Sequence, residues 1–535
     1  MNSASTREIP AATSAPASER VRLMRDGLIN NVGLLVSGLV SLVLVPILLA
    51  GLGGQAYGLW ISAQVLDGIL GSLDFGLGPT VTKEVAGSIS TGLSEATIRL
   101  VRSAATAQLL LGAASGSVLV LFALPLGLGL KLPPNVQTLT LPVFILAGVG
   151  FLGARMSSFA GDLLAGLRRF DLANLVVSFG AVVRACGMVL LLEAGYGLLA
   201  VAGWYAAAAF ASAFFGFALV ARLEPRLRFG LSSAIWKGLA PHARFGFGSQ
   251  MVTAFSNLAW SGPPLLVGLM AGSSAEALYY VAQKFPIALS GIGSRVAGAL
   301  FPAASEHERT GNLAGTRDIL EVGTRWVAVV VFPIAIVLAI IAPVLLKSWV
   351  GHAEPETVLV FRLTAGAVAF DAVGQGALNL LWGRGAMRAV LKFEAVVAAT
   401  VIGLTVVLLK RFGMPGAAVA LVAAAAVGMA VVLYEAARVS NVRVAGPLVR
   451  AMDGLFIPGL ACALATAAVR GIPLGNGWTR VLAASSAGGA VFLGVLWLAG
   501  SRAEERRLFE ETLGAAGALV GRSFRAAGRV LGTGS

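Results

Sequence analysis

Long apolar runs separated by short polar segments dominate the pattern of this chain. Fourteen such runs follow one another, each of about 20 residues and long enough for a helix to cross roughly 30 Å of hydrocarbon. The runs are continuous rather than alternating, which predicts helices and argues against a transmembrane barrel. The predicted spans are residues 27–50, 56–79, 104–130, 138–160, 172–194, 197–221, 245–271, 277–304, 325–346, 358–382, 390–411, 414–436, 452–470 and 479–500.

The hydropathy pattern repeats at a shift of 219 residues. Arg25–Asp74 aligns with Arg244–Gly293 without a gap, and ten of the fifty aligned pairs are identical, Gly53 with Gly272 among them. Many secondary transporters use a parallel repeat of this kind to build a cavity between two similar lobes. The sequence therefore predicts an all-α polytopic membrane protein with two six-helix lobes and two further C-terminal helices.

The domain boundaries are predicted from this repeat and from the polar ends of the chain. Residues 1–20, rich in Ala, Ser, Thr and Pro, lack the apolar core of a signal peptide and predict a disordered cytosolic tail. The prediction then assigns 21–222 to the N-lobe, 223–438 to the C-lobe, 439–500 to the last two helices and 501–535 to a basic cytosolic tail. Prolines inside the first and seventh spans, Pro46 and Pro263–Pro264, predict kinks there.

Composition supports the membrane interpretation, since 57% of the residues are hydrophobic and only 12% are charged. The net charge of +14 raises the question of nucleic acid as a partner. However, 29 of the 40 basic residues fall in one set of connecting segments and 7 in the opposite set. The positive-inside rule then predicts that both termini lie in the cytosol. The basic residues are expected to meet anionic headgroups, and no nucleic acid is expected.

Enzyme chemistry finds little support in the sequence. The three histidines, His242, His307 and His352, fall in predicted loops and have no metal-ligand spacing. None of the seven lysines follows a glycine, so there is no P-loop for a nucleotide. The predicted outward loops are also too short to form a catalytic domain. We therefore expect neither an enzyme nor a metal or organic cofactor.

Polar side chains within the predicted spans are the candidates for a binding site. An ionisable group at the bilayer centre costs roughly 2.5–3.5 kcal/mol and usually faces a partner or an aqueous cavity. The second and eighth spans each carry two ionisable residues on one helical face with a glutamine beside them: Asp67, Asp74 and Gln64 in the second, and Lys284, Arg295 and Gln283 in the eighth.

The repeat places the acids of one span at the depth of the bases of the other. Lys284 falls near the depth of Asp67, and Arg295 near that of Asp74. Two interpretations stay open: buried ion pairs that hold the lobes together, or a hydrated cavity in which Arg295 contacts an anionic group. Arginine suits phosphate because its planar fork donates two parallel hydrogen bonds.

Three further intramembrane residues have less specific interpretations. Arg184 lies near the middle of the fifth span and Arg155 in the fourth. Each is expected either to line the cavity or to reach an interface. Asp371, with Gln375 one turn later, is either a site for a coupling ion or proton or a structural hydrogen-bond partner.

Several short motifs near the start of the chain resemble a known family. They are the run Arg25-Asp26-Gly27-Leu28-Ile29-Asn30-Asn31, then Leu52-Gly53 with Tyr57-Gly58-Leu59, and Asp74-Phe75-Gly76-Leu77-Gly78. They resemble the polysaccharide transporters, the O-antigen flippase branch of the multidrug/oligosaccharidyl-lipid/polysaccharide exporter superfamily. The resemblance implies two lobes around a cavity whose walls include the first, second, seventh and eighth helices. Asn30 and Asp74 match family motif positions directly.

The resemblance implies a flippase that moves a polyprenyl-diphosphate-linked oligosaccharide across the bacterial cytoplasmic membrane by alternating access, for cell-surface polysaccharide synthesis. Membrane lipid and the lipid-linked oligosaccharide are the expected partners, with a polysaccharide polymerase and assembly proteins as further candidates. H⁺ or Na⁺ is a candidate coupling ion, at Asp371. A drug or small-solute antiporter and a non-transporting membrane scaffold stay open as alternatives. The candidate substrate-binding residues are Arg295, Lys284, Arg184, Asp67, Asp74, Asn30, Gln64 and Gln283.

Overall fold

The structure is a computed structural model that describes residues 17–72, 76–89, 92–227, 243–298, 313–440 and 444–500. Within these ranges the side chains of 17–32, 34–35, 243–247, 249 and 313–319 are not described. Asp74, the side chain of Asn30 and the predicted basic tail at 501–535 therefore lie outside the description, as does most of the predicted N-terminal tail.

The described residues form helices joined by short connections, with no β-strand among them. One five-residue π-helical turn, Leu496–Gly500, follows the last helix. The helices are α1 (Ala17–Gly71), α2 (Leu77–Ser88), α3 (Glu95–Gly129), α4 (Pro134–Gln137), α5 (Thr140–Gly166), α6 (Phe170–Glu193), α7 (Leu198–Leu223), α8 (Ala243–Ala271), α9 (Ser273–Gly298), α10 (Leu313–Val350), α11 (Pro355–Gly383), α12 (Met387–Phe412), α13 (Met414–Ser440), α14 (Ala445–Met452), α15 (Phe456–Gly471) and α16 (Gly477–Val495).

The described part of each of the fourteen predicted spans lies mainly on one or two of these helices, and the first two spans share α1. Within the described residues, ten helices are long and apolar enough to cross a membrane. The pair α14 and α15, bent by 41°, makes an eleventh if it counts as one span. Helices α8 and α9, which carry the seventh and eighth predicted spans, are not among these ten. The all-helical polytopic fold is thus confirmed, although the second span ends at Gly71 rather than at residue 79.

Glycine interrupts the helices at equivalent positions of the repeat. Gly53 breaks α1 with φ 75° and ψ 161°, and Gly272 separates α8 from α9 with φ 101°. Both torsions favour glycine, because a Cβ atom would clash with the backbone. The prolines that predicted kinks, Pro46 and Pro263–Pro264, lie inside helices α1 and α8. The breaks therefore fall at the glycines rather than at the prolines.

The chain divides into two compact units. The first unit comprises Met1–Lys284 and Leu391–Ala420, and the second comprises Phe285–Val390 and Leu421–Ser535. In the first unit, α5 packs against α3 and α7, and α6 packs against α1 and α7. A Cβ atom on either Gly116 or Gly148 would lie 2.9 Å from the carbonyl oxygen of the other, so the backbones of α3 and α5 meet there. The lobe boundaries drawn from the repeat stay a prediction.

In the second unit, α10 packs against α11 and α16, and α15 packs against α16. Arg325 of α10 is only 2% exposed and donates hydrogen bonds to backbone carbonyl groups near the ends of α14 and of the final π-helical turn. Its Nη1 donates to the carbonyl oxygens of Asp453, at 2.6 Å, and of Ala451, at 3.4 Å. Its Nη2 donates to the carbonyl oxygen of Gly500 at 2.6 Å. One guanidinium thus satisfies carbonyl groups at two helix ends that lack intrahelical donors.

Candidate functional site

The first unit contains a small polar cavity of about 200 Å³. Helix α1 lines it on both sides of the Gly53 break, and α6, α7 and α9 complete the wall. The contributing positions recur at helical spacing, so each helix turns one face towards the cavity. The polar and aromatic residues of the wall are Ser37, Ser41, Tyr57, Trp60, Gln64, Arg184, Tyr205, Tyr280 and Lys284.

The wall of the small cavity carries two cations and no carboxylate. Among the described lining residues, Arg184 and Lys284 are the basic ones, and none is an aspartate or glutamate, since Asp67 is not part of the wall. Opposite charge is the cheapest way to stabilise cations in a poorly hydrated cavity. The charge of the wall therefore suits an anionic group.

Each cation is held by a tyrosine. The Lys284 ammonium donates to the Tyr280 hydroxyl oxygen at 2.6 Å, one turn earlier on α9. The Arg184 guanidinium carbon lies 5.7 Å from the centre of the Tyr205 ring, within the range of a cation–π interaction. Hydrogen-bonding capacity of both cations remains for a ligand, because an ammonium has three donors and a guanidinium five.

Asp67 interacts with the same tyrosine from behind the wall. The Tyr205 hydroxyl donates to Asp67 Oδ2 at 2.7 Å, while Asp67 Oδ1 is buried and has no partner. Arg184 is close enough to interact electrostatically with this carboxyl group. The sequence allowed an ion pair between Asp67 and Lys284, but in this structure the two bind different tyrosines. Asp67 is thus a positioning residue for Tyr205 and Arg184.

Tight packing of α6 against α7 fixes the position of Arg184. The indole Nε1 of Trp204 donates to the carbonyl oxygen of Val183 at 3.0 Å. One turn later, a Cβ atom on Gly187 would fall 1.9 Å from that same indole. Only glycine leaves room for Trp204 at this point. The turn of α6 that carries Arg184 is therefore held rigidly against α7.

A larger cavity of about 780 Å³ adjoins the small one within the first unit. Ser37 and Arg184 line both cavities, so Arg184 stands at their junction. The larger wall is mostly apolar and small-residue surface with hydroxyl groups, Asn174, and one charged residue of each sign, Lys83 and Asp162, besides Arg184. A volume of this size is in the range of small-molecule sites, roughly 300–1,000 Å³.

Several elements of the first unit are joined to one another at the end near Gly53. The connection after α3 is joined to the turn between α8 and α9 by two hydrogen bonds. The Ser273 amide donates to the carbonyl oxygen of Leu130 at 3.3 Å, and the Lys131 ammonium donates to that of Met270 at 3.2 Å.

Helix α1 is joined to the start of α9 at the same end. A Cβ atom on Gly58 would fall 1.9 Å from the Ser273 carbonyl oxygen, so the two backbones are in direct contact. The Ser62 hydroxyl donates to Glu276 Oε2 at 2.6 Å. We call this joined region the clasp; its residues are Gly58, Ser62, Leu130, Lys131, Met270, Ser273 and Glu276.

The remaining intramembrane arginine of the first unit has a structural position. Arg155 of α5 is 7% exposed. Its Nε donates to Gln108 Oε1 and its Nη1 to the carbonyl oxygen of Gly71, both at 3.2 Å. It therefore binds the last residue of α1, where carbonyl groups lack intrahelical donors. Arg155 lines neither of the two cavities of the first unit, and its expected position at an interface stays a prediction.

The other predicted site residues lie away from the small cavity or outside the description. Gln283 is 1% exposed, and neither its amide nitrogen nor its oxygen has a partner. Arg295 is exposed near the end of α9, in the second unit. Asp371, also in the second unit, accepts from Gln375 Nε2 at 2.8 Å and from the Ser290 hydroxyl at 3.4 Å. Within the first unit the structure thus groups Gln64, Arg184 and Lys284, with Asp67 behind them.

The second unit has a cavity of different chemistry. It measures about 540 Å³ and lies between α10 and α16. Its lining is apolar apart from Ser485 and the indole nitrogens of Trp326 and Trp497. It can hold hydrocarbon, but it offers no charged group to a diphosphate.

Sequence reasoning missed the tyrosines. Only six occur in the chain, and three of them, Tyr57, Tyr205 and Tyr280, line the small cavity. The signal was available, because a tyrosine within an apolar span needs a hydrogen-bond partner for its hydroxyl group. Searching for ionisable residues alone overlooked the groups that hold Arg184 and Lys284 in place.

Comparison with solved structures gives the fold. The lipid II flippase MurJ, in an inward closed conformation, matches 88% of this chain and 98% of its own with a TM-score of 0.69 and 12% identity. An inward-facing multidrug resistance MATE transporter of the MOP superfamily matches 79% and 98% with a TM-score of 0.60 and 16% identity. A MOP superfamily transporter from Pyrococcus furiosus matches 78% and 95% with a TM-score of 0.54 and 16% identity.

Comparison with curated protein sequences gives no significant match. The sequence profile of the family described as polysaccharide biosynthesis protein matches residues 23–308, more than half of the chain. That stretch contains every residue of the small cavity and of the clasp. A multi-pass helical fold shared with a flippase and with MATE transporters agrees with this match. The chain is therefore a membrane protein that belongs to the polysaccharide biosynthesis protein family.

Proposed function

We propose that this protein is a flippase that moves a polyprenyl-diphosphate-linked oligosaccharide across the cytoplasmic membrane of a bacterium by alternating access. The observation that carries the proposal is the small cavity, whose wall has two cations, Arg184 and Lys284, and no carboxylate. Family membership supplies the polysaccharide context. A diphosphate joined to a sugar is the anionic group that this context provides.

The two adjoining cavities suit the two parts of such a headgroup. The diphosphate would bind at Arg184 and Lys284, because a fork of guanidinium donors and an ammonium match phosphate oxygens. The sugars would occupy the larger cavity, which has hydroxyl groups and the amide of Asn174 in its wall. The polyprenyl chain needs no polar site and would stay in hydrocarbon. Arg184 contacts both parts because it lines both cavities.

The charge distribution gives the direction of access. With both termini in the cytosol, as the positive-inside rule predicts, the Gly53 end of the first unit faces outwards. The larger cavity, lined by Lys83 and Asp162, then lies towards the cytosol, and the clasp lies on the outer side. The headgroup would enter from the cytosolic leaflet and leave when the clasp opens.

A leaflet assay tests the proposal. A deletion strain would express wild-type protein, Arg184→Gln or Arg99→Gln. The last is the control, because Arg99 is exposed on α3 of the same unit and lines neither cavity. A non-permeant sugar-modifying enzyme applied to intact spheroplasts would measure the lipid-linked oligosaccharide in the outer leaflet.

We expect lipid-linked units to stay in the cytosolic leaflet in the deletion strain and in Arg184→Gln, and to reach the outer leaflet in wild type and Arg99→Gln. Lys284→Met should lower the outer-leaflet fraction as well. An unchanged leaflet distribution in the deletion strain would refute the flippase. It would favour the alternative, a cation-coupled antiporter of drugs or small solutes.

A further inference from the structure

A fully buried carboxyl group lies within the clasp and has no basic partner. Glu276, in the first turn of α9, has 0% exposure. One of its oxygens accepts from the Ser62 hydroxyl at 2.6 Å, and the other, Oε1, has no partner. Gly268 makes the space for it, since a Cβ atom there would fall 2.1 Å from Glu276 Oε2. Neither the cavities nor the proposed substrate contacts use this group.

The elements packed around Glu276 bring few titratable groups. Helix α1 carries Tyr57 and Asp67, and Asp67 is engaged with Tyr205. The connection after α3 carries Lys131, whose ammonium binds the Met270 carbonyl oxygen. The described side chains of α8 include no titratable residue. On α9 itself the neighbours are two tyrosines and Lys284, and the lysine binds Tyr280. Glu276 thus has no cation to compensate an ionised carboxylate.

Burying an uncompensated carboxylate costs far more than burying the neutral acid, so a carboxyl group in this position holds a proton. We infer that Glu276 is a proton-binding site and that its proton keeps the clasp closed. Deprotonation breaks the O–H bond of the carboxyl group and transfers the proton to water. The carboxylate left behind needs hydration, which the closed clasp denies it. Loss of the proton therefore favours the open clasp, and closing the clasp favours its return.

Buried polar atoms continue from Glu276 along the same face of α9. Tyr279 and Gln283 follow at three and seven residues, which is the spacing of a single helical face. The Tyr279 hydroxyl and both polar atoms of the Gln283 amide are buried without a partner. At 1.5 Å per residue these groups extend about 10 Å along the helix from the clasp. The Tyr279 hydroxyl and the Gln283 amide thus extend the polar environment of Glu276 along α9.

This inference names the coupling ion of the proposed flippase, on which it rests for its physiological use, but its test needs no substrate. The probe is the infrared carbonyl band of a protonated carboxylic acid in purified full-length protein, recorded as a function of pH. The difference between wild type and Glu276→Gln isolates the band of Glu276. Glu95→Gln is the matched control, because Glu95 is exposed on α3 of the same unit.

The link to the clasp is tested with a cross-link. A Cβ atom on Gly54 would lie 3.6 Å from the Cβ of Ser274, within the range of about 3.5–4.5 Å that a disulfide requires. Gly54→Cys with Ser274→Cys, in a background with Cys186→Ser and Cys462→Ser, therefore locks the clasp when oxidised. The pair Gly68→Cys with Ser274→Cys is the control, because nothing lies within 4 Å of a Cβ on Gly68.

We expect the band at neutral pH in wild type and in Glu95→Gln, and its loss in Glu276→Gln. In the Gly54/Ser274 cysteine pair, oxidation should move the disappearance of the band to a higher pH, and reduction should reverse the shift. Absence of a Glu276 band at neutral pH would overturn the proton site. A band that disappears at the same pH in the oxidised and reduced protein would overturn the link to the clasp. A flippase assay that fails while the band behaves as expected would refute the substrate alone.

Discussion

The hydrogen bond between Tyr205 and Asp67 gives a stability change that can be worked out from the structure. Tyr205→Phe removes the hydroxyl that donates to Asp67 Oδ2 at 2.7 Å and keeps the ring. The ring is 3% exposed and packs edge-on against Trp60, with 5.3 Å between the ring centres. Because phenylalanine preserves this packing, the substitution removes the interactions of the hydroxyl group and leaves those of the ring.

The expected loss of stability in Tyr205→Phe follows from the hydrogen bonding of Asp67. Asp67 Oδ1 is already buried without a partner, so the substitution removes the hydrogen bond that Asp67 Oδ2 accepts from Tyr205. A hydrogen bond to a charged group contributes about 1.5–3 kcal/mol to stability. We therefore expect Tyr205→Phe to lower the free energy of unfolding by that amount. Asp67→Asn should lose part of the same energy, and the double variant less than the sum of the two.

The assay is denaturation of the purified protein by sodium dodecyl sulfate in mixed lipid–detergent micelles, followed by circular dichroism. Tyr196→Phe is the matched control, because Tyr196 lies on the same unit and is 58% exposed. It should change the free energy of unfolding by less than about 0.5 kcal/mol. A Tyr205→Phe loss no larger than that of Tyr196→Phe would refute the reasoning. Strict additivity of Tyr205→Phe and Asp67→Asn would refute it equally, since directly coupled residues are non-additive.

Other parts of the structure give further expected outcomes. Gly58→Ala should reduce the yield of folded protein, because its methyl group would fall 1.9 Å from the Ser273 carbonyl oxygen. Gly68→Ala should leave the yield unchanged, because a Cβ there has open space around it. Equal yields of the two variants would contradict the contact in the clasp. Arg325→Met should destabilise the protein by about 2–4 kcal/mol, since three carbonyl groups lose their donor. Arg411→Met should not destabilise it, because Arg411 is exposed. Thermal unfolding of the two variants tests this difference, and equal unfolding temperatures would contradict it. The oxidised Gly54→Cys/Ser274→Cys protein should lose transport in the leaflet assay and regain it on reduction, and transport by the oxidised form would show that the clasp need not open.

Periodicity and length were sufficient to predict the helical elements. The described part of each predicted span is mainly helical, because an apolar run of about 20 residues has few alternatives to a helix in a membrane. The repeat also aligned Gly53 with Gly272, and both proved to be helix breaks. It could not tell that glycine rather than Pro46 would interrupt α1. A positive φ depends on where the neighbouring helices meet, which local sequence does not record.

The candidate site was predicted less well. Depth along the repeat suggested that Lys284 faces Asp67, and the structure instead gives each a tyrosine partner. Matching depth fixes one coordinate of a side chain, whereas a contact also requires the rotation of both helices about their axes. Arg184 illustrates the difference: Gly187 and Trp204 set the rotation of α6, and that packing was not visible in the sequence.

The break at Gly53 divides α1 into two helical segments. Nothing lies within 4 Å of a Cβ at Gly53, whereas the residues that follow are packed, with Tyr57 1% and Trp60 4% exposed. The helical segment from Gly54 to Gly71 has a length of about 27 Å at 1.5 Å per residue. A pivot of about 10° at its start would move the far end by about 5 Å, close to the ~5.4 Å pitch of one helical turn. Gly58 contacts the backbone of Ser273 five residues after Gly53, and this contact restrains the segment. The contact between Gly58 and Ser273, close to Gly53, would therefore control the position of the residues that follow it. Among these residues are Trp60 and Gln64, which line the small cavity.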